Sequence, residues 1–152
     1  PLREPVTAGL ARADAVVISG EDRVEIAKNL PASLPVFTGR TLPTTSTENR
    51  AGRRVAAFAG IGRPEKFFDT LATLDCEIVA TRSFPDHHRF TDREIAQICA
   101  EANALDAVPV TTEKDAVRLP RPGRDKIETL PVAFIWDDVP AITAFLDKRT
   151  RR

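Results

Sequence analysis

Three short polar clusters contain most of the residues in this chain that could take part in chemistry. Each follows an apolar stretch: Gly60-Ile61-Gly62-Arg63, Asp86-His87-His88 and Thr111-Thr112-Glu113-Lys114-Asp115. In an open α/β sheet, ligands bind at the carboxyl edge, where the loops that follow successive parallel strands converge. The positions of the clusters therefore predict one shared site.

The second cluster contains the only two histidines of the chain, beside an acid. An imidazole titrates near neutrality and can accept a proton from an attacking hydroxyl, while an adjacent carboxylate can orient the ring. Because neighbouring residues of an extended segment point in opposite directions, we expect His87 and His88 to have separate tasks, one of them a hydrogen bond that holds the loop. A histidine-bound metal is the rival interpretation. It needs three or four converging donors, and the other candidates are scattered carboxylates such as Asp115.

The glycine cluster has two interpretations. Gly60 and Gly62 match the start of a dinucleotide-binding fingerprint, but the third glycine is absent and Pro64 follows. One interpretation is a tight turn between a strand and a helix. The other is an anion contact through free N–H groups, to which Arg63 and Lys66 would add positive charge.

In the third cluster, Thr112 and Asp115 have nearly the spacing of a capping box, which predicts the start of a helix. Lys114 is not needed for that cap. It could neutralise a phosphate or pair with Asp86, and the sequence leaves both possibilities open.

The apolar stretches that position the clusters alternate with helical patterns, which favours right-handed βαβ crossovers. We therefore predict an α/β fold: a mostly parallel, Rossmann-like sheet of five to six strands with helices on both faces. The predicted strands are 14–19, followed by a turn at Gly20, then 36–37, 54–59, 77–81, 107–111 and 127–136, the last as a strand or hairpin. Helical patterns are expected at 21–30 (weak), from Pro64, from a capping box at Thr91 and Glu94, and around 142–146.

Composition limits the choice of partners. Lys plus Arg and Asp plus Glu each total 22 in 152 residues, so no net charge attracts nucleic acid or an anionic membrane surface. No apolar run approaches the length of a membrane span, and no signal peptide is evident. Cys76 and Cys99 lie in apolar stretches and are expected to be free thiols in a reducing cytoplasm. The absence of methionine suggests a piece of a longer protein.

Four motifs together closely resemble one known family. They are Leu2-Arg3-Glu4-Pro5, the block 58–68 around the glycines, Phe84-Pro85-Asp86-His87-His88 and the segment 112–117. In this order, and over nearly the whole chain, they are similar to the C-terminal half of the tetraacyldisaccharide 4′-kinases, the lipid A 4′-kinases of Gram-negative bacteria. The resemblance implies transfer of a phosphoryl group from ATP, with Mg²⁺, to the 4′-hydroxyl of a tetraacyldisaccharide 1-phosphate at the cytoplasmic face of the inner membrane.

The resemblance also implies roles for particular residues. His87 matches the family histidine that works with an aspartate of another lobe to activate the sugar hydroxyl, and Asp86 would support its orientation. Arg3 and Glu4 match the inter-lobe segment near the reaction centre. The remaining expected contacts with substrate or phosphate are Gly60, Gly62, Arg63 and Lys114.

The chain departs from the family in one respect: none of its seven glycines begins a G-x-x-x-x-G-K-[ST] loop. We therefore expect an inter-lobe segment (1–13), a C-terminal α/β lobe (14–147) and a solvated basic tail (148–152). This lobe would be inactive alone and would bind ATP and Mg²⁺ only together with an N-terminal P-loop lobe. Its expected partners are that lobe, the lipid A disaccharide precursor and, peripherally, the inner membrane, but not nucleic acid.

Two other hypotheses remain: a metal-dependent phosphoesterase, since Asp-His-His also marks such enzymes, and a non-catalytic binding module.

Overall fold

A computed structural model describes residues 4–44 and 52–150. The chain divides into two compact units, one made of the residues up to 42 and from 134 onward, the other of residues 43–133. The elements, in chain order, are helix α1 (Val6–Ala11), strand β1 (Val16–Ser19), a 3₁₀ helix (Ile26–Asn29), β2 (Val36–Pro43), β3 (Arg54–Ala59), α2 (Pro64–Ala72), β4 (Glu77–Ser83), α3 (Asp92–Ala104), β5 (Val108–Thr112), α4 (Glu113–Ala116), α5 (Arg121–Arg124), β6 (Glu128–Leu130), β7 (Val132–Trp136) and α6 (Val139–Thr150).

The first unit is built on a three-stranded sheet in the order β1-β2-β7. β1 and β2 run parallel, with Val16 opposite Val36. An aromatic group packs on this sheet: Phe37 lies 5.2 Å from Phe145 and 6.5 Å from Trp136, measured between ring centroids. The predicted strand at 36–37 is therefore present and continues to Pro43.

The weak helical pattern at 21–30 is realised only as the 3₁₀ helix Ile26–Asn29. Glu25, which precedes it, has a φ of +53°, in the left-handed region that an α-helix cannot contain. The carboxylate of Asp22 accepts hydrogen bonds from the N–H groups of Ile26 and Ala27, at 2.7 and 2.8 Å, and so supports a turn instead. The predicted longer helix is wrong.

The second unit contains a four-stranded sheet in the order β4-β3-β5-β6, and all of its strands are parallel. β3 is its most buried strand, and its side chains alternate between two hydrophobic clusters. Val55, Ala57 and Ala59 pack with Leu71 of α2, whereas Phe58 packs on the opposite face with α3 residues such as Ile95. The predicted α/β class, with helices on both faces of a parallel sheet, is confirmed.

Local signals correctly predicted where the helices of this unit begin. Pro64 is the first residue of α2, where its missing N–H leaves no helical bond unmade. Thr91 and Glu94 form a complete capping box at α3. Pro109 is accommodated in β5, whose pairing with β6 begins one residue later at Val110.

Within the described ranges, the strands are divided between two sheets of three and four strands rather than placed in one. The segment 127–136 is accordingly not a hairpin, because β6 and β7 join different sheets. Pro131 separates them; Leu130 is buried in the core of the second unit, while Trp136 packs with Phe37. The predicted basic tail is helical as far as Thr150, and Arg149 pairs with Asp14.

The domain boundaries at 13 and 147 stay predictions. None of the helices in the described ranges is both long and apolar enough to cross a membrane. Neither Cys76 nor Cys99 forms a disulfide; both are partly buried, and burial raises the pKa of the Cys99 thiol. β2 ends at Pro43, and residues 45–51 lie outside the described part of the chain.

Candidate functional site

The carboxyl edge of the four-stranded sheet brings the first two polar clusters together. Two backbone hydrogen bonds join the loop after β4 to the end of β3: the Phe84 N–H donates to Ala59 O at 2.8 Å, and the His87 N–H donates to Gly60 O at 3.0 Å. A Cβ placed on Gly62 would lie 3.4 Å from Asp86 Oδ2. The glycine turn and the Asp-His-His loop are therefore in direct contact, as the strand order requires.

His87 presents its imidazole to solvent. Its backbone has a φ of +60°, a left-handed conformation that is uncommon for a residue with a Cβ, and its side chain is 81% exposed. The nearest acid is Asp86, whose Oδ2 lies 3.8 Å from His87 Nε2, too long for a hydrogen bond but close enough for electrostatic attraction to a protonated ring. His87 can thus meet a group that approaches this edge from outside.

His88 has a different environment. Its ring stacks on Phe84 with 4.8 Å between centroids and meets the edge of Phe90 at 5.0 Å. His88 Nε2 lies 3.0 Å from Glu94 Oε1, in the capping box of α3. The prediction that one histidine holds the loop is confirmed for His88, and the catalytic task of His87 stays a prediction.

Glu94 collects several hydrogen bonds at this position. The N–H of Thr91 donates to Glu94 Oε2 at 2.8 Å and the Thr91 hydroxyl does so at 2.9 Å. These bonds, together with the contact from His88, favour the ionised form and lower the pKa of Glu94 below its ordinary value. The carboxylate thereby links the Asp-His-His loop to the start of α3.

The third cluster joins the site through Asp115, a residue whose role sequence reasoning missed. Its side chain is fully buried, and its Oδ2 accepts hydrogen bonds from the Gly60 N–H and the Thr112 hydroxyl, both at 2.9 Å. The Asp115 N–H in turn donates to Thr112 Oγ1 at 3.1 Å, so the predicted cap is confirmed. Spacing identified the cap, but gave no sign that the carboxylate also reaches the end of β3.

Sequence reasoning also failed to identify Arg118 as a residue of this site. Its Nη1 lies 3.3 Å from Gly60 O and 3.4 Å from Asp115 Oδ1, so one guanidinium contacts both the glycine turn and the buried acid. The available sequence signal was the three-residue spacing between Asp115 and Arg118, which places the two side chains on one side of a helical turn.

Arg63 and Lys114 are exposed at the ends of β3 and β5. In the part of the chain that the structure describes, neither side chain forms an ion pair, so the suggested pairing of Lys114 with Asp86 is not formed. Both cations remain available to an anion that approaches the edge.

Glu4 belongs to the other compact unit, where its carboxylate pairs with Arg12. Arg3 lies outside the described residues. The described ranges contain no cluster of three or more His, Cys, Asp or Glu side chains that could hold a metal ion.

The fold and this edge define the chain as an α/β protein with a glycine turn and an exposed histidine at the carboxyl ends of a parallel sheet. A model of the tetraacyldisaccharide-1-P 4'-kinase family (LpxK) matches residues 1–151. The chain belongs to this family.

Curated relatives that match the chain are described as tetraacyldisaccharide 4'-kinases. The relative from Rhodospirillum centenum is 52% identical over 139 residues, covering 91% of this chain and 41% of the relative. The relative from Rhodospirillum rubrum is 45% identical, covering 97% of this chain and 46% of the relative. The chain therefore spans less than half the length of these relatives. No solved structure matches it significantly.

Proposed function

We propose that this chain is the acceptor-side lobe of a lipid A 4′-kinase, which transfers the γ-phosphate of ATP to the 4′-hydroxyl of tetraacyldisaccharide 1-phosphate. The observation that carries the proposal is the exposed imidazole of His87 at the carboxyl edge of the sheet, with the Asp86 carboxylate 3.8 Å away. Membership of the kinase family supports the reaction class.

Phosphoryl transfer requires the protein chiefly to position the reactants and to neutralise charge, with a group that orients the attacking hydroxyl. In the proposed reaction His87 receives or orients the proton of the 4′-hydroxyl, and Asp86 supports the orientation of the ring. Arg63 and Lys114 are exposed cations that would offset phosphate charge. Glu4 and Arg3, as part of the inter-lobe segment, are proposed to lie near the reaction centre in the whole enzyme.

The residues of this chain do not fit a nucleotide–Mg²⁺ site by themselves, because no glycine begins a phosphate-binding G-x-x-x-x-G-K-[ST] loop. We assign ATP and Mg²⁺ to an N-terminal P-loop lobe that completes the enzyme. Closure of the two lobes would bring His87 to the acceptor and exclude water from the transfer. On this proposal the chain alone is inactive, and the whole enzyme works peripherally at the cytoplasmic face of the inner membrane.

The test joins this chain to the complementary portion of the R. centenum relative and measures phosphorylation of tetraacyldisaccharide 1-phosphate. We expect His87→Ala to lower kcat by about 10²- to 10⁴-fold, the usual contribution of a positioned acid or base. His88→Ala is the matched control. Because it removes an imidazole that packs inside the loop, we expect it to lower stability and to reduce kcat much less.

Three outcomes would contradict the proposal. Near-normal kcat in the His87→Ala enzyme would remove the assigned role. Manganese-stimulated phosphatase turnover by the unjoined chain would favour a phosphoesterase. Binding of nucleotide or disaccharide to the unjoined chain, unaffected by changes at Asp86 and His87, would favour a non-catalytic module.

A further inference from the structure

Both backbone polar groups of Gly60 are held by hydrogen bonds, the N–H by the buried Asp115 and the carbonyl oxygen by Arg118, the partner of Asp115. The Gly60 N–H donates to Asp115 Oδ2 at 2.9 Å. Gly60 O accepts from Arg118 Nη1 at 3.3 Å and from the His87 N–H at 3.0 Å. One carbonyl is thus shared by a cation anchored on Asp115 and by the backbone of the exposed histidine.

The arrangement around Asp115 is well satisfied. A buried carboxylate is costly unless it is paired and hydrogen-bonded. Here Oδ2 accepts from Gly60 and from the Thr112 hydroxyl, and Oδ1 faces Arg118 at 3.4 Å. Because hydrogen bonds to a charged acceptor are stronger than neutral ones, this group fixes the Gly60 peptide firmly.

Close packing restricts the turn further. A Cβ on Gly60 would lie 3.1 Å from the Cβ of His88, so the turn and the Asp-His-His loop approach as closely as a glycine allows. In the same loop, His87, the residue before His88, has a φ of +60°. A residue with a Cβ keeps such a conformation when its surroundings hold it, and the bond from the His87 N–H to Gly60 O is one of the constraints that do so.

We propose that Asp115 and Arg118 are positioning residues for the reaction: acting through Gly60, they set the location of His87 at the edge of the sheet. This inference rests on the proposed function, because the value of a fixed location depends on His87 acting on the acceptor hydroxyl. A displacement of about 1 Å at a reacting group can cost about 10²-fold in rate. Because the rate is this sensitive to position, we expect the contact of Arg118 with Gly60 O, which also accepts from the His87 N–H, to have a measurable effect on the rate.

Helix capping alone does not account for the arrangement. The cap of α4 requires only the mutual bonds between Thr112 and Asp115. Arg118 adds nothing to that cap by reaching Gly60 O, and α4 is only four residues long. The contacts that exceed the cap are directed at the Gly60 peptide.

The first test measures amide hydrogen exchange in the 152-residue chain and needs no kinase activity. We expect Arg118→Met to accelerate exchange at the His87 and Gly60 N–H groups by about tenfold or more relative to a core amide such as Ala57, as for the loss of one hydrogen bond to a charged group. The matched control is Arg53→Met, which removes the 2.7 Å ion pair with Glu128 at the other end of the same sheet. Arg53→Met should leave the exchange rates of the His87 and Gly60 N–H groups, relative to that of Ala57, unchanged.

Arg118→Lys guards against a variant that fails to fold, because it keeps the cation beside the buried Asp115. An ammonium is a compact, strongly hydrated charge on a flexible stem and lacks the rigid planar group that directs Arg118 Nη1 toward Gly60 O and Asp115 Oδ1, so we expect His87 exchange between that of the parent and that of Arg118→Met. Unchanged exchange at His87 in both Arg118 variants would overturn the inference.

The second test measures kinetics in the joined enzyme at a temperature where every variant is folded. Arg118→Met should lower kcat about tenfold or more while the KM for ATP stays constant, and Arg53→Met should change neither. Faster His87 exchange with an unaltered kcat would overturn the positioning role. A joined enzyme without kinase activity would instead overturn the proposed function, while the exchange result would stand by itself.

Discussion

At the scale of single residues, Gly60 and Gly62 differ in the room around them. Gly60 is buried, and an added Cβ would lie 3.1 Å from the Cβ of His88, an atom fixed to its backbone. Gly62 is exposed, and its nearest neighbour would be the Asp86 carboxylate at 3.4 Å, the mobile end of a side chain. One glycine of the turn is therefore required by packing, and the other is not.

We predict that Gly60→Ala lowers the free energy of unfolding by about 1–3 kcal/mol, the usual cost of overpacking. Gly62→Ala is the matched control and should change it by less than about 0.5 kcal/mol, as for most exposed positions. Urea unfolding of the two variants beside the parent chain measures both quantities. Equal effects at the two glycines would contradict the packing argument.

The sequence predicted which residue types gather at the edge, because the loops after parallel strands must converge there. It also predicted that the two histidines differ, and their surroundings do, but the extended segment assumed for that prediction is a turn in which His87 has a φ of +60°. It could not predict that Asp115 is buried beneath the turn, since this depends on the alignment of β5 with β3, a contact across 55 positions of the chain. Arg118 escaped detection for the same reason.

At the scale of elements, the start of α3 combines a capping box with the loop that contains the histidines. Glu94 accepts bonds from the Thr91 N–H and hydroxyl and contacts His88. The pKa of Glu94 is lowered, with the Thr91 N–H as its largest cause. Its ionised form therefore stabilises the folded state above the unfolded pKa, and this contribution is lost as pH falls through the lower folded pKa.

We accordingly predict that Glu94→Gln destabilises the chain most above about pH 5 and that the difference from the parent shrinks below about pH 4, since an unperturbed glutamate titrates near pH 4.3. Chemical unfolding at a series of pH values measures the difference. Glu101→Gln, on the same helix, controls for the loss of one negative charge. A difference independent of pH would show that the charge of Glu94 contributes nothing.

Elements whose signals are local were predicted well. Pro64, Thr91 and Glu94 act on the backbone of their own helices, so their positions alone indicate where α2 and α3 begin. The 3₁₀ helix at Ile26–Asn29 was mistaken for a longer helix because the left-handed φ of Glu25 has no signature in residue type. The separation of β6 from β7 depends on which core each strand joins, a choice made by distant residues.

At the scale of the whole molecule, the second unit contains both of the hydrophobic clusters that pack against its sheet. The cluster around Leu71 and the cluster around Phe58 lie entirely between residues 43 and 133. A continuous segment that buries its apolar groups within itself has what a folding unit requires. The partition into two units was not predicted, because strand order within and between sheets is decided by long-range pairing.

We predict that residues 43–133 alone unfold in a single cooperative transition, measured by circular dichroism during heating. Leu71→Ala should lower the stability of that segment by about 2–5 kcal/mol, the cost of emptying a fully buried leucine site. A broad, non-cooperative loss of signal, with dye binding to exposed apolar surface, would show that the segment needs the rest of the chain.

The first unit, in contrast, draws its sheet from both sides of residues 43–133, because β2 pairs with β7. On a ribosome, β1 and β2 emerge early and β7 and α6 late. Residues 43–133 can therefore reach their native state while the first unit still lacks β7 and α6. Translation thus favours an order of assembly in which residues 43–133, which include the exposed histidine, fold before β7 and α6 complete the sheet and helices of the first unit.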